Sequence, residues 1–298
     1  MNLLLSGGTG TFGRAFIPVA LASPSVERLA IYSRDEAKQH ELQLQYANEK
    51  RLRWLIGDVR DYDRLRFALE GVDAVVHAAA LKHVPSGEKN PFEHVKTNIL
   101  GSQNVAMAAA TAGVAKVLAI SSDKAVEPIN LYGSTKMAME RLMIASNGLG
   151  RVTKFSCVRY GNVIGSRGSF VELLKDLAAK GAKTFPLRSI ESTRFWMNAE
   201  DAAWFVWRRL QDMQGGEIFV PKLPSSTALE FARRYLPDAE PEIVGVPSGE
   251  KIHETLISEA ESQYVVRRGN FFEIHPRGQR DETIEPWRYS SHPVMVTA

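Results

Sequence analysis

The run Asn2-Leu3-Leu4-Leu5-Ser6 leads straight into Gly7-Gly8-Thr9-Gly10-Thr11-Phe12-Gly13, and a helical pattern begins inside that glycine loop. A strand that turns this sharply into a helix needs residues without Cβ where backbone passes close to itself or to a ligand. The alternation then continues. Strand-like runs at Arg28–Ser33, Leu52–Ile56, Ala74–His77, Val117–Ser121 and Lys154–Arg159 are separated by helical patterns over Thr11–Leu21, Asp35–Asn48, Tyr62–Leu69, Phe92–Ala112 and Leu131–Ser146. This predicts an α/β fold, a doubly wound parallel sheet covered by helices on both faces, because crossovers between parallel strands are right-handed.

Beyond Asn162 the pattern loosens into turn-rich pieces, although Ala199–Gln211 reads as helix and Glu217–Val220 as strand. The expected organisation is a first domain of residues 1–161 plus about 199–220. A smaller interleaved substrate lobe of residues 162–198 and 221–275 lies over the carboxyl ends of the strands, where ligands of such sheets bind. Residues 276–298 are polar, carry three prolines and are expected to form a flexible tail or partner-contacting arm.

Composition narrows the function classes. The chain of 298 residues is 44% hydrophobic and 24% charged, ordinary for a globular protein. Its net charge of +3 comes from scattered doublets such as Arg208-Arg209 and Arg267-Arg268, not from one basic stripe, so nucleic acid is not an expected partner. Cys157 is the single cysteine and sits in an apolar run, which points to a buried strand thiol and a reducing, cytoplasmic compartment. The opening residues have no basic start and too short an apolar run for a signal peptide. The best spanning candidate, Val105–Ile120, is interrupted by Gly113 and Lys116, so no membrane span is expected.

The glycine loop also carries chemistry. Amide N–H groups and the positive end of a helix attract a pyrophosphate, so Gly7, Gly10, Thr11, Phe12 and Gly13 form the expected dinucleotide cradle. About twenty residues after Gly13, Ser33-Arg34 ends the second strand, and Lys38 lies one helical turn beyond. Basic groups there receive a 2′-phosphate, which favours NADP over NAD; Asp35 is the counter-signal, unless it serves as a helix N-terminal residue. Asp58 and Val59 are placed to edge the adenine, and Ala78, Ala79 and Ala80 offer small side chains where backbone runs close to the cofactor.

The catalytic reading rests on two segments, Ser121-Ser122-Asp123-Lys124 and Tyr132-Gly133-Ser134-Thr135-Lys136. Tyr132 and Lys136, four residues apart, share a helix face, so an ammonium can sit beneath a phenol and favour its ionised form. Such a phenol takes a hydroxyl proton while hydride leaves the same carbon. Ser122 supplies a hydroxyl to the same substrate oxygen. Asp123 and Lys124 are surplus to simple oxidoreduction.

Together with Tyr32–Glu36, Gly57–Asp61, His77–Pro85, Asn130–Gly133, Arg159–Val163, Gly165–Ser169, Thr193–Trp196, Gly215–Lys222 and Gly249–Glu254, these motifs resemble extended short-chain dehydrogenases of the polysaccharide-biosynthesis type. These are Rossmann-fold enzymes. Within that group the chain is most similar to inverting UDP-N-acetylglucosamine 4,6-dehydratases, which begin pseudaminic acid and related bacterial deoxysugar pathways. The likeness covers about residues 1–275. It implies a cytoplasmic homo-oligomeric lyase that acts on a UDP-N-acetylhexosamine with tightly bound, recycled NADP. It further implies that Tyr132, Lys136 and Ser122 remove the O4 proton as hydride leaves C4. Lys124, held neutral by burial or by the charge of Lys136, takes the C5 proton, protonated Asp123 serves the departing C6 hydroxyl, and hydride returns to C6. Asn98 joins the cofactor-binding set; Lys82, His83, Asn162, Arg167, Arg194, Lys222 and Glu250 form the substrate-binding set. Where the family usually has Arg-Pro before Gly-Glu-Lys, this chain has Pro247-Ser248, which removes a diphosphate partner. His253-Glu254 lacks a second histidine at helical spacing, so no metal is expected, and the adjoining Leu256-Ile257 suggests ordinary packing.

Three alternatives stay open. Membrane-linked retaining dehydratases usually carry methionine at the position of Tyr132. A UDP-sugar 4-epimerase would use the same phenol but has no evident need for Asp123-Lys124. A non-catalytic NADP-sensing protein would require the glycine loop alone.

Overall fold

A computed structural model of the chain describes residues 1–149, 152–166 and 168–292. Apolar runs such as Leu3-Leu4-Leu5 are buried throughout, as strands covered on both faces must be. Six of them, β1 (Asn2–Ser6), β2 (Arg28–Ser33), β3 (Leu52–Ile56), β4 (Ala74–His77), β5 (Lys116–Ile120) and β6 (Lys154–Val158), pair in parallel in the order β6-β5-β4-β1-β2-β3. The intervening helices are α1 (Thr11–Leu21), α2 (Glu36–Gln45), α3 (Tyr62–Ala68), α4 (Val84–Lys89), α5 (Pro91–His94), α6 (Gly101–Ala112) and α7 (Leu131–Ser146). A single π-helical turn, Val95–Leu100, joins α5 to α6.

The remaining elements are β7 (Asn162–Ile164), α8 (Phe170–Ala179), β8 (Thr184–Leu187), β9 (Thr193–Asn198), α9 (Ala199–Asp212), β10 (Ile218–Pro221), β11 (Ser225–Thr227), α10 (Ala228–Arg233), β12 (Glu240–Ile243), β13 (Thr255–Ile257), α11 (Glu259–Ser262), β14 (Val265–Arg268), β15 (Phe271–Ile274) and β16 (Tyr289–Ser290). The period-two geometry of the strands sorts the core into two layers. Leu3, Leu5 and Val76 pack with residues of α1 and α9 on one face, whereas Leu4, Val75 and Val117 pack with residues of α3, α6 and α7 on the other. A third cluster, built around Val171, Leu174, Phe185 and the stacked Trp196 and Phe231 rings 3.8 Å apart, is the core of the smaller lobe.

Two expectations about organisation are corrected. β10 continues the main sheet from β6, and the antiparallel hairpin β14–β15 extends it further, so residues 265–274 belong to the sheet instead of the lobe expected over 221–275. The segment expected as a flexible tail packs onto the body as far as residue 292. β16 pairs with β13, Trp287 lies 5.5 Å from Phe272 ring to ring, and Arg288 forms an ion pair of 2.6 Å with Glu127. Aromatic burial, invisible to a search for periodicity, holds it there.

Candidate active site

One cavity of about 1150 Å³ runs from the glycine loop, across the carboxyl ends of β1, β4, β5 and β6, to the lobe. Its floor begins where Gly7, at φ +71°, brings the first turn against the chain after β4: a Cβ on Gly7 would lie 2.7 Å from the Ala79 amide nitrogen. A Cβ on Gly13 would lie 2.3 Å from the Gly8 carbonyl oxygen, so α1 is able to start only with glycine there. The N-cap of α1 is Gly10, which offers no side-chain cap, and the first turn carries no acidic residue. Its amide dipoles therefore face the cavity without an internal anion, which fits a pyrophosphate. Gly7, Gly10, Thr11, Phe12 and Gly13 all line the cavity, as do Ala78, Ala79 and Ala80.

At the far end of this floor Ser33, Arg34, Lys38 and Val59 line the wall. Asp35 is the N-cap of α2, accepting the Lys38 N–H at 3.0 Å, and its carboxylate also pairs with the Lys38 ammonium. Asp58 does not edge the cavity. Its carboxylate accepts from Arg60 Nε at 2.9 Å and Nη2 at 2.7 Å and lies 3.5 Å from Arg34, and these cations hold it below the usual carboxylate range against burial. Asn98, in the π-helical turn, also lies off the cavity wall. Its side chain exchanges two 2.8 Å hydrogen bonds with the Leu81 backbone and donates to Thr135 Oγ1 at 3.0 Å, so it fixes the chain after Ala80. His77 beneath is buried between Ser6 and Ser102, and burial pulls its imidazole down to about 3.

The reactive groups converge at the end of β5. Asp123–Ala125 form a short 3₁₀ turn, and α7 packs so tightly on it that a Cβ at Gly133 would sit 2.2 Å from the Lys124 carbonyl oxygen. This contact sets Tyr132 beside the turn. Ser122 Oγ donates to Asp123 Oδ1 at 2.8 Å, and Lys124 Nζ donates to the same oxygen at 3.1 Å. Lys124 also lies 3.3 Å from Glu254 Oε1 and 3.5 Å from Asn162 Oδ1. Burial raises the Asp123 carboxyl, and the Glu254 charge raises it further. Burial pushes the Tyr132 phenol up to about 12, against the lowering pull of the Lys124 charge and the Ser122 hydrogen bond.

Two electrostatic expectations are corrected here. Lys124 is not held neutral: the Asp123 and Glu254 carboxylates overcome the burial that lowers its affinity for a proton and raise it well above the usual lysine value. The cation that lowers the phenol is Lys124, and Lys136 is engaged elsewhere. Its Nζ donates to the Ile120 carbonyl at 2.5 Å, and burial lowers it to about 8.

On the lobe side, Lys82, His83, Asn162, Arg194 and Glu250 line the cavity. Lys82 donates to Ser166 Oγ at 2.7 Å, and burial lowers its ammonium. A Cβ on Gly168 would meet the His83 ring at 2.3 Å. Arg194 spends its donors on structure, reaching the carbonyls of Thr193 at 2.7 Å, Ile252 at 2.9 Å and Lys251 at 3.0 Å. Lys222 is not brought to the cavity; its ammonium lies 5.0 Å above the Phe272 ring. Arg167 lies outside the described residues.

Sequence over residues 3–276 matches the model of the polysaccharide biosynthesis protein family. The chain belongs to that family. Among its relatives is a Campylobacter jejuni protein named UDP-N-acetylglucosamine 4,6-dehydratase (inverting), 46% identical over 277 residues that cover 92% of this chain and 83% of the relative. A Rickettsia bellii protein named UDP-glucose 4-epimerase is 40% identical, with 94% and 84% covered. The crystal structure of Pen from Bacillus thuringiensis superposes with a TM-score of 0.88 at 36% identity, covering 97% of this chain and 92% of that one. In fold alone, the dTDP-glucose 4,6-dehydratase DesIV of Streptomyces venezuelae, solved with NAD and TYD bound, is similar at a TM-score of 0.77 and 23% identity, with 85% and 87% covered.

Within this polysaccharide-biosynthesis framework the structure adds residues that sequence reasoning missed. Glu254, which closes the Gly249–Glu254 motif and is given no role of its own by the sequence, is buried and contacts Lys124. Lys251 donates to the Val126 carbonyl at 2.6 Å from the cavity wall. Arg188 also lines the cavity and lies 3.3 Å from Glu250, so this chain keeps an arginine beside the segment where Pro247-Ser248 replaces Arg-Pro. A carboxylate directly before the buried run Thr255-Leu256-Ile257 was the available signal for Glu254.

Proposed function

We propose that this protein is an inverting UDP-N-acetylglucosamine 4,6-dehydratase, forming a UDP-4-keto-6-deoxy-N-acetylhexosamine for surface glycan or nonulosonic acid synthesis. The observation that carries the reading is that Lys124 and Tyr132 face one cavity while the fully buried Asp123 carboxyl sits directly behind them, accepting from Lys124 Nζ at 3.1 Å. Sugar oxidation at C4 needs only the phenol; loss of water across C5 and C6 needs an acid and a base besides.

A bound nicotinamide dinucleotide supplies the hydride acceptor and donor. Gly7, Gly10 and the amino end of α1 would hold its pyrophosphate. Arg34 and Lys38 at the far wall support NADP over NAD, because Asp35 is committed to capping α2. Tyr132 takes the O4 proton, with Ser122 hydrogen-bonded to it. Lys124 receives the C5 proton, and Asp123 delivers one to the departing C6 hydroxyl. Lys82, His83 and Asn162 line the sugar side, while Arg188 with Glu250 borders the nucleotide side. Arg167 and Lys222 remain in the proposed substrate set on motif resemblance alone. The reading extends to a cytoplasmic homo-oligomer: no helix among the described residues is long and apolar enough to cross a membrane, and α6 and α7 expose Met107 and Met137.

The epimerase reading has the Rickettsia relatives in its favour. Purified protein given UDP-N-acetylglucosamine in heavy water decides between them by proton NMR. The expected product is a 4-keto-6-deoxy sugar bearing deuterium at C5, with no added cofactor consumed and NADP released on denaturation. A sugar altered only at C4 establishes the epimerase reading instead.

A further inference from the structure

Lys124 Nζ lies among Asp123 Oδ1, Glu254 Oε1 and Asn162 Oδ1 at 3.1, 3.3 and 3.5 Å, so the protons of an ammonium are all accounted for. Two of these acceptors are carboxylates with side chains only 1% and 3% exposed. Two buried anions facing one cation leave an uncompensated charge, which a proton on one carboxyl removes. Glu254 has the second cationic neighbour: its Oε1 lies 4.0 Å from Arg194 Nε. Its backbone is clamped from behind, the amide donating to Ser291 Oγ at 2.9 Å and the carbonyl accepting from the Ser291 amide at 2.8 Å. Among the described residues, Asp123 Oδ2 and Glu254 Oε2 are buried without a hydrogen-bond partner. Each is therefore an unfilled acceptor that a proton can occupy.

We propose that Glu254 is a positioning residue of the dehydration: it serves as the counter-ion of Lys124 and accepts its proton, which frees Asp123 to carry the proton the leaving hydroxyl needs. This rests on the dehydratase reading. The proton balance closes. Lys124 passes one proton to Glu254, and its amine then takes the C5 proton. The C5–H electron pair becomes the C5–C6 double bond, the C6–O pair leaves with the hydroxyl, and the Asp123 proton completes water. Asp123 ends ionised, Lys124 protonated and Glu254 neutral, with total charge unchanged. Burial and the Glu254 charge hold Asp123 high, as its proton requires, and the Lys124, Arg194 and Lys251 charges hold Glu254 low against burial, as a resting counter-ion requires. The Lys124-to-Glu254 transfer runs uphill from that state and is drawn on by uptake of the C5 proton. The other titratable and charged groups facing the pair are Tyr132 on α7, Arg194 on β9 and Lys251, whose Nζ donates to the Val126 carbonyl at 2.6 Å; His253 is occupied by Thr193 and His292.

The test uses the full chain with Glu254→Gln and Glu254→Asp, reading turnover of UDP-N-acetylglucosamine against pH and the infrared carbonyl band of protonated Asp123, assigned by its loss in Asp123→Asn. In Glu254→Gln, Asp123 becomes the sole carboxylate partner of Lys124 and ionises at lower pH. The alkaline limb of the profile then moves to lower pH, costing about tenfold in turnover for each pH unit it moves, read at a fixed pH above it. Acidification restores part of the rate, the neutral-pH infrared band disappears, and Glu254→Asp recovers part of both. An unmoved limb with the band intact, whether or not the rate falls uniformly, overturns the proposal. If the wild type makes no 4-keto-6-deoxy product, the dehydratase reading fails by itself, while the infrared band still reports whether Glu254 governs Asp123.

Discussion

Lys136 is a cation that the fold buries with no ion pair among the described residues. It is 6% exposed, its Nζ donates to the Ile120 carbonyl, and burial lowers it to about 8. Below that pH the lysine is charged in both folded and unfolded chains, and the folded state bears the desolvation cost. As pH rises from about 8 toward the ordinary lysine value, the folded state releases the proton first, the unfolded state binds more protons, and stability increases. The gain is about 1.4 kcal/mol for each pH unit that separates the two titrations. Lys136→Met removes this titration, so its unfolding free energy relative to wild type should be higher at about pH 7 than at about pH 9.5. Urea unfolding of both proteins at the two pH values measures this, and a pH-independent difference would mean the amine is not desolvated. At this scale the sequence was half legible. Helical spacing places Tyr132 and Lys136 on one face, but no spacing rule reveals that Lys124 is the cation acting on the phenol.

The start of α7 shows how an element delivers these side chains. Asn130 caps it, accepting the Gly133 amide at 2.7 Å, and its Nδ2 reaches the Gly249 carbonyl at 2.7 Å, tying helix to lobe. With the Lys124 carbonyl 2.2 Å from the place a Cβ would occupy, Gly133→Ala must push α7 away from the 123–125 turn. The expected cost is about 1–3 kcal/mol of stability. Because Tyr132 precedes the glycine, a displacement of about 1 Å should lower turnover on the order of 10²-fold. Thermal unfolding and steady-state rates test this together; a full rate in a destabilised variant would show that the helix start does not position the phenol. The six parallel strands were legible because their apolar runs recur between helices of regular period. The stretch expected as one helix over Phe92–Ala112 is continuously helical but contains a π-helical segment between α5 and α6, and α4 escaped notice because Pro85 and Gly87 weaken its helical signal.

Across the whole molecule, one side chain binds sheet, helix and lobe together. Arg159 follows β6, is 2% exposed, and reaches Glu140 on α7 at 3.0 and 2.6 Å, Glu261 on α11 at 3.0 and 2.8 Å, and the Leu256 carbonyl of β13 at 2.8 Å. β13 begins directly after Glu254, so this network also fixes the height of that carboxylate above Lys124. Such long-range pairing was the illegible part: Arg159 reads as a strand end in sequence, and Glu140 and Glu261 as ordinary helix-surface charges. Neither periodicity nor a local motif connects them, and only the closing of the lobe over the sheet does. Arg159→Met should leave two carboxylates facing each other in a dry interior and cost about 3–5 kcal/mol, lowering Tm on the order of 10 °C. Adding Glu140→Leu and Glu261→Leu to the same chain removes the stranded charges and should recover most of that loss, since an apolar replacement of a whole buried cluster is often near neutral. A triple variant no more stable than Arg159→Met would show that the loss came from misplaced packing, and would identify the network as a steric wedge instead of a charge-balanced joint.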